Sequence, residues 1–359
     1  MKHEAVGKIR AQVAAWRHGN PGRGLKIIAV AGAQGKTTTA LYLGEILQEA
    51  GHTVMTMTSA GCRYNGTPLP DRYDQTADAL HRCLAGARKQ SAQYVVMEVS
   101  DALAAAQVLP TLAITMSIIT NDSPSARVLL DQAVDYTVVP SGFDMAGLAV
   151  APHQAISFGE DAAADAQIVE VKEYRKGTEI DMIIDHQTKL TVSTYLIGKA
   201  NAFNVAAAVS AAYVLTAPTS VFEEGVARLE TVAGNYEYLP VPEISYDVAV
   251  DRAYTPTSVE MVLTTANALK KRRLLVIADA SIPSDLYETV KRLGDRVMVV
   301  GTGPEFPGVE QLTDLQSALD LMRRGAKKDD IVLLIGREVG ALQPDGRSYA
   351  HRLVEASHE

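Results

Sequence analysis

Residues 32–39 combine glycines, a lysine and threonines in an order that suits the binding of a polyphosphate. An apolar run over 27–31 predicts a strand, and the loop follows it directly. Glycines let the backbone approach an anion, the N-terminus of the next helix attracts it, and Lys36 adds a positive charge. The Thr37 hydroxyl is a hard oxygen ligand for Mg²⁺. The predicted phosphate-binding residues are Gly32, Ala33, Gln34, Gly35, Lys36, Thr37 and Thr38.

The spacing G-x-x-G-K-T is shorter than the common phosphate loop G-x-x-x-x-G-K-[ST]. Val30 stands where the first glycine of the longer motif would fall, which disfavours an ordinary GTPase or kinase. The alternative interpretation is a tight turn without a ligand. The agreement of strand, glycines, lysine and threonine with the context that the motif requires favours the phosphate site.

Three further positions suit a nucleotide enzyme. Glu98 ends a buried strand, so its carboxylate is predicted at the carboxyl edge of the sheet, where it would hold Mg²⁺ with Thr37; the alternative is a surface or helix-capping carboxylate. Asn201 and Asn204 are predicted to bind the nucleotide, and Asn204 is placed to present its amide to a purine edge. The alternative role of Asn201 is a helix cap. Asp251 follows an apolar strand and would bind ribose hydroxyls or an amine; the alternative is a turn aspartate.

Strands and helices alternate from residue 26 to a last predicted helix over 347–356, and several strands are apolar on both faces. Thr255 followed by Pro256 predicts the N-cap and the first residue of one of these helices. The alternation is typical of a parallel sheet covered by helices. Residues 154–196 read instead as short strands that form an antiparallel patch. The sequence thus predicts an N-terminal helix over 1–24, an α/β phosphate-loop domain with a mostly parallel sheet over 25–235, and a Rossmann-like α/β domain over 236–359.

The N-terminal segment places Val6, Ile9, Val13 and Trp16 at helical spacing. The favoured interpretation is a short amphipathic helix whose apolar face packs on the next domain. The alternative is a docking or membrane-surface element.

Composition bounds the functional class. The 359 residues carry a net charge of −8, which gives no electrostatic footprint for nucleic acid or an anionic membrane. The chain has two cysteines, too few for a zinc site or a disulfide framework, and it shows no signal peptide and no bilayer-spanning run. We therefore expect a reduced, cytoplasmic compartment.

Taken together, the motifs resemble those of the Mur ligases, most closely the branch that adds the third residue to a UDP-N-acetylmuramoyl-dipeptide. The landmarks occur in family order over about residues 26–340. The matching segments are AGAQGKTT (31–38) for T-G-T-N-G-K-T-T, MEVSDA (97–102) for M-E-V-S-S-H, GKANAFN (198–204) for G-R-F-N-x-x-N, and VDRAYTP (250–256) for V-D-Y-A-H-T-P; TNDSPSARV (120–128) and AGNYE (233–237) match T-N-L-S-R-D-H-L-D and P-G-R-x-E in part.

The resemblance implies an ATP- and Mg²⁺-dependent reaction that forms an amide from a carboxylate and an amine through an acyl phosphate. It implies that Lys36 and Glu98 take part in catalysis, that Thr37 and Glu98 hold the metal, and that Asn204 and Asp251 contact the nucleotide. The family's N-terminal UDP-binding domain has no counterpart here; the helix before Gly24 takes its place, and a protein partner is one candidate substitute.

Several departures concern catalysis. Family members bind a second Mg²⁺ through a carbamylated lysine and a histidine, but Ala126 occupies the histidine position and no lysine occurs between Lys89 and Lys172. Asn235 and Tyr254 replace a family arginine and histidine. The acceptor and amine substrates are not identified by these motifs.

Three functions remain open at this point. The first is a divergent carboxylate–amine ligase linked to peptidoglycan-type or related peptide synthesis. The second is an ATP-binding or ATP-hydrolysing protein that has lost ligation and has a regulatory or scaffold role. The third is a ligase similar to folylpolyglutamate synthetase, a group that also lacks the UDP-binding domain.

Overall fold

A computed structural model describes residues 2–69, 73, 75–132, 134–146, 154–174, 176–239, 244–302, 309–341 and 348–351. The chain divides into two compact units, Met1–Glu230 and Thr231–Glu359. The domain boundary predicted from the sequence lies near residue 235.

Unit 1 is built on one sheet of eleven strands, in the order β11-β10-β9-β8-β7-β6-β1-β5-β2-β3-β4. Its strands are β1 (Lys26–Ala31), β2 (Val54–Thr58), β3 (Gly61–Tyr64), β4 (Thr67–Pro68), β5 (Tyr94–Glu98), β6 (Ile114–Ile119), β7 (Tyr136–Pro140), β8 (Gln154–Gly159), β9 (Ala166–Tyr174), β10 (Gly177–Ile184) and β11 (Thr188–Thr194). Its helices are α1 (Lys2–Arg17), α2 (Lys36–Glu49), α3 (Ala77–Lys89), α4 (Asp101–Ala105), α5 (Pro124–Leu130), α6 (Lys199–Val214) and α7 (Phe222–Ala227), with short 3₁₀ turns at Leu109–Thr111 and Thr219–Val221.

The centre of this sheet is parallel and its two ends are antiparallel. Strands β2, β5, β1, β6, β7, β8 and β9 pair in parallel, whereas β9-β10-β11 and β2-β3-β4 are antiparallel meanders. The predicted antiparallel patch over 154–196 is therefore a continuation of the main sheet, and the prediction is wrong for β8, which pairs in parallel with both β7 and β9. The β3-β4 hairpin was not predicted, because its short strands carry little periodic signal.

Helix α1 turns the opposite way from the favoured prediction. Its small side chains Ala11, Ala14 and Ala15 are buried, whereas Ile9 is 60% and Trp16 is 77% exposed. Val6 and Val13 share this exposed side. The prediction that these large side chains pack on the next domain is wrong, because alanines let the helix approach the body of unit 1 closely.

Unit 2 has a six-stranded sheet in the order β12-β13-β17-β14-β15-β16. Its strands are β12 (Glu237–Leu239), β13 (Asp247–Asp251), β14 (Leu274–Asp279), β15 (Arg296–Val300), β16 (Glu310–Leu312) and β17 (Ile331–Ile335), and its helices are α8 (Pro256–Leu269), α9 (Tyr287–Leu293) and α10 (Leu315–Gly325), with a 3₁₀ turn at Ser284–Leu286. All pairs are parallel except β12 with β13. Thr255 caps α8 ahead of Pro256, as the sequence predicts.

The predicted α/β class with a mostly parallel first sheet agrees with this architecture. Two predicted elements extend outside the described residues: the turn at 175–177 includes Arg175, and most of the last predicted helix, 347–356, lies beyond Ser348–His351. Within the described ranges, no helix is both long and apolar enough to cross a membrane.

Candidate phosphate and magnesium site

Four neighbouring parallel strands of unit 1 end at one edge of the sheet. The register pairs Val30 of β1 with Glu98 of β5, and β2 and β6 flank these two strands in the same direction. The segments that follow β1, β2 and β6, together with the last residue of β5, therefore meet at this edge. The convergence of strand ends is a usual location for ligands in α/β proteins.

The loop after β1 forms a cradle that opens helix α2. Gly35 is the N-cap residue of the helix, and the Lys36 Nζ donates to the carbonyl oxygens of Gly32 at 2.8 Å and Ala33 at 3.3 Å. The first N–H groups of an α-helix have no acceptor within the helix, and the helix dipole makes this end positive. A lysine charge and a helix N-terminus thus converge at the loop.

Hard oxygen atoms cluster beside the cradle. The Thr37 hydroxyl donates to Oε2 of Glu98 at 2.7 Å and lies 3.1 Å from the Ser59 hydroxyl oxygen. The backbone N–H of Ser59 donates to the same carboxylate oxygen at 2.9 Å. Glu98 is 5% exposed, so these contacts hold its charge in a fixed place. The donor set fits Mg²⁺, which takes one or two protein oxygens and completes its shell with phosphate and water.

Asn121 and Thr120 support the loop from the end of β6. The Oδ1 of Asn121 accepts from the N–H groups of Ala33 at 2.5 Å and Gln34 at 3.2 Å, and the Thr120 hydroxyl donates to the Gln34 carbonyl oxygen. The sequence motifs predict no role for Asn121, Thr120 or Ser59. Their positions straight after β6 and β2 were the available signal, but only the strand order shows that these ends adjoin the loop.

Two glycines are required by the backbone of the cradle. Gly32 has φ +146° and Gly35 has φ +80°, a range that side-chain-bearing residues rarely adopt. A Cβ on Gly32 would strike the Thr120 hydroxyl, and one on Gly35 would strike the carboxamide oxygen of Asn204. The loop therefore tolerates no side chain at either position without moving.

We expect Gly35→Ala to lower the stability of unit 1 by about 1–3 kcal/mol, because a left-handed backbone and a close contact both penalise the methyl group. Nucleotide affinity should fall as well. Thermal unfolding and calorimetric titration measure the two effects. Gly86→Ala is the matched control, since Gly86 lies within α3 with open space around it; it should leave stability unchanged or raise it by about 0.5–1 kcal/mol. Equal melting of the Gly35 variant and wild type would contradict the prediction.

Asn204 lies under the phosphate loop. Its Nδ2 donates to Oδ1 of Asn201 at 3.1 Å, and its Oδ1 accepts from the Thr39 hydroxyl at 3.4 Å. The side chain is nearly buried, so a purine would have to replace one of these contacts; the adenine contact stays a prediction. The capping role considered for Asn201 is wrong, because Gly198 is the N-cap of α6 and Asn201 donates to the Ile197 carbonyl oxygen.

Asp251 ends β13 in unit 2 and is half-buried. Its carboxylate accepts from the N–H groups of Tyr236 at 2.8 Å and Ala253 at 2.7 Å. Burial raises the pKa of Asp251 to about 6, against the opposing effect of these hydrogen bonds and the Arg252 charge. A contact between Asp251 and a nucleotide stays a prediction.

This pKa has a consequence for stability. An unfolded aspartate has a pKa of about 3.9, so folding favours the protonated carboxyl, and the stability that this gives is lost as the pH rises from about 4 to 6. The Asp251→Asn variant has no carboxyl group to ionise at this position. Its free energy of unfolding relative to that of wild type should therefore rise between pH 4 and 6, by at most about 3 kcal/mol. Urea unfolding at stepped pH measures the difference. A difference that stays constant from pH 4 to 7 would refute the assignment.

The position of the second-metal histidine is closed in this fold. Ala126 lies on α5, is fully buried and belongs to the main apolar core of unit 1. Its neighbour Ser125 donates its N–H to the Asp101 carboxylate at 2.9 Å. In the described part of the chain, no group of three or more His, Cys, Asp or Glu side chains is placed to hold a metal ion.

Residues 30–125 match the model of the Mur ligase middle domain. A UDP-N-acetylmuramoyl-L-alanyl-D-glutamate–2,6-diaminopimelate ligase of Halalkalibacterium halodurans is 26% identical over 92% of this chain and 72% of that protein. A UDP-N-acetylmuramyl-tripeptide synthetase of Deinococcus radiodurans is 26% identical over 89% of this chain and 69% of that protein.

Solved structures show the same fold at lower identity. A UDP-N-acetylmuramoyl-L-alanyl-D-glutamate–2,6-diaminopimelate ligase superposes with a TM-score of 0.68 at 17% identity, over 99% of this chain and 83% of that one. FPGS in complex with AMPPCP superposes with a TM-score of 0.75 at 16% identity, over 92% and 93%. The fold predicted from the sequence is confirmed by these neighbours.

Proposed function

From the relationship of this chain to the Mur ligases, which confirms the resemblance drawn from its motifs, we propose that it binds Mg²⁺ and ATP at the loop of unit 1 and forms an amide from a carboxylate and an amine. The contact of Thr37 and Ser59 with the buried carboxylate of Glu98, beside Lys36, carries the proposal. The cytoplasm supplies the ATP that this reaction consumes.

The residues of the cradle have separate tasks. The Lys36 ammonium and the N-terminus of α2 neutralise phosphate charge, and the loop glycines let the phosphates approach the backbone. Glu98 and Thr37 would hold Mg²⁺, which would supply positive charge beside the γ-phosphate. Asn121 keeps the loop in shape, so its donors need not reorganise during the reaction.

The missing groups set an upper bound on the rate. Ala126 supplies no metal ligand, and no lysine stands between Lys89 and Lys172. Each lost preorganised electrostatic group typically costs about 10²–10³ in rate. Ligation of ordinary UDP-muramoyl peptides by the purified chain should therefore be weak or undetectable, with slow ATP hydrolysis. The chain's own acceptor is then either another carboxylate or one that a partner protein holds.

The number of bound metal ions tests this description of the site. We expect one Mg²⁺ per chain, held through the nucleotide, Thr37 and Glu98. Titration of Mn²⁺ into the chain with a non-hydrolysable ATP analogue, followed by electron paramagnetic resonance, should saturate at one ion. Two tightly held ions per chain would contradict the loss of the second site.

An isotope experiment tests the reaction itself. The purified chain is given ATP, Mg²⁺, a panel of amines and ¹⁸O-labelled carboxylates that includes UDP-N-acetylmuramoyl-dipeptide. An acyl phosphate transfers one labelled oxygen from the carboxylate to inorganic phosphate. Labelled phosphate together with an amide product supports a ligase. ATP hydrolysis that no substrate pair stimulates and that carries no label would support the pseudo-ligase, which the closed position at Ala126 favours.

A further inference from the structure

The two cysteines of the chain lie side by side in the core of unit 1, although 20 residues separate them in sequence. The Sγ atoms of Cys62 on β3 and Cys83 on α3 are 3.5 Å apart, and both side chains are reduced thiols. Cys62 is 2% and Cys83 is 8% exposed, and both belong to the main apolar core of the unit. A buried apolar environment with paired sulfurs offers each thiol the other as its nearest reaction partner.

The separation is close to that of a disulfide. A disulfide has an S–S distance of about 2.05 Å, so the two sulfur atoms need to approach by about 1.5 Å. If β3 and α3 share this approach, each moves by less than about 1 Å, a shift that is small enough to keep the fold. Disulfides in reducing compartments are usually transient and redox-sensing, which suits a pair that rests in the thiol form.

We propose that Cys62 and Cys83 form a reversible oxidative modification site whose oxidant is a small hydroperoxide such as hydrogen peroxide. Hydrogen peroxide is small, so it needs a smaller opening than a bulky disulfide reagent to reach a thiol that is 8% exposed. Cys83 is the more exposed of the two and reacts first. The product is a disulfide between β3 and α3 that a dithiol reductant reverses.

The oxidation of the two thiols to a disulfide takes two steps. The Cys83 thiolate attacks one oxygen of the peroxide, the O–O bond breaks, and the departing hydroxide takes up a proton to form water while the sulfur becomes a sulfenic acid. The Cys62 sulfur then attacks the sulfenic sulfur, the S–S bond forms, and the S–O bond breaks. The second water leaves with the proton of Cys62. The two sulfurs lose two electrons in total, and the peroxide is reduced to two waters.

The cross-link is coupled to the metal site through the β2-β3 turn, and this part rests on the proposed function. Cys62 pairs with Met57 across the hairpin, and the turn between the strands carries Ser59. Ser59 is the residue that donates to Glu98 and contacts Thr37. Drawing Cys62 toward α3 displaces β3, the strand that follows this turn, and Ser59 moves with it. Oxidation therefore weakens the binding of Mg²⁺ and ATP.

Mass spectrometry tests the modification without any assumption about nucleotides. The full chain is treated with hydrogen peroxide, its remaining thiols are blocked with an alkylating agent, and the intact mass and proteolytic peptides are measured. We expect an intact mass lower by about 2 Da, no alkylation, a peptide pair joined through Cys62 and Cys83, and full reversal by dithiothreitol. Calorimetry on the oxidised chain should show affinity for Mg²⁺ and ATP reduced about fivefold, a typical size for coupling between two sites.

Single variants separate the pair from either thiol alone. Cys62→Ser and Cys83→Ser should each lose the 2 Da product and, after peroxide treatment, bind ATP as tightly as the same variant before treatment. Sulfinic or sulfonic acids without a cross-link, or disulfides only between chains, would overturn the proposal even if the variants do not fold. A cross-link with unchanged ATP affinity would overturn the coupling. If the reduced chain binds no ATP, the proposed function fails, whereas the cross-link is still measured.

Discussion

Replacement of Lys36 by alanine should lower the affinity for ATP at least tenfold. The Nζ lies within the loop, 2.8 Å from the Gly32 carbonyl oxygen, so it is held where phosphate charge would arrive. A hydrogen bond to a charged group contributes about 1.5–3 kcal/mol, which corresponds to roughly 10- to 150-fold in the dissociation constant. Isothermal titration calorimetry with a non-hydrolysable analogue measures the change.

Lys89→Ala is the matched control for this loss of charge. Lys89 is exposed at the end of α3, so its replacement removes the same charge at a place away from the predicted site. The control should bind ATP like wild type. Both variants should melt close to wild type, because the polar contacts of Lys36 with the described residues are to two carbonyl oxygens of its own loop. Equal ATP affinity in Lys36→Ala and wild type would remove the loop from the nucleotide site.

Replacement of Glu98 by glutamine should abolish the contribution of Mg²⁺ to nucleotide binding and lower ATP turnover by about 10²–10³. Glutamine keeps the size of the side chain and an oxygen that accepts the N–H of Ser59, so unit 1 should remain folded. It removes the negative charge that a hard cation requires. Affinity measured with Mg²⁺ and with a chelator present isolates this contribution.

The control for charge is Glu223→Gln, on the exposed side of α7. It should keep both the Mg²⁺ dependence and the turnover of wild type. If Glu98→Gln retained the full gain in ATP affinity that Mg²⁺ gives, the Glu98 carboxylate would only position Thr37 and Ser59 and would not be a metal ligand.

The main elements of the candidate site could be predicted because their signals are local. The glycines and Lys36 follow an apolar strand within a few residues, and Glu98 ends another such strand, so the parallel class alone places them at one edge. Ser59 and Asn121 escaped prediction because their roles depend on β2 and β6 flanking the β1-β5 pair, and strand order is not encoded by any short segment.

Helix α1 shows a different limit of sequence reasoning. The spacing of its apolar residues indicates a helix, and a helix is present, but periodicity weights large side chains over alanines. The face of α1 that packs is the one that lets its backbone approach the rest of unit 1 most closely. The cap at Thr255 was predicted correctly from the sequence. A capping threonine followed by proline acts within one turn of the helix, so its prediction needs no tertiary information.

The strand order around β1 also governs when the cradle can form during folding. Its contributors lie between residues 32 and 121, and they adjoin only after β5 and β6 have paired with β1 across long crossover connections. Parallel pairings of this kind are slow, because the entropy of loop closure is lost before the contacts are gained. The ability to bind a nucleotide should consequently appear late in refolding, after most of the helical circular dichroism signal has formed. A nascent chain whose β6 has not yet left the ribosome should bind none.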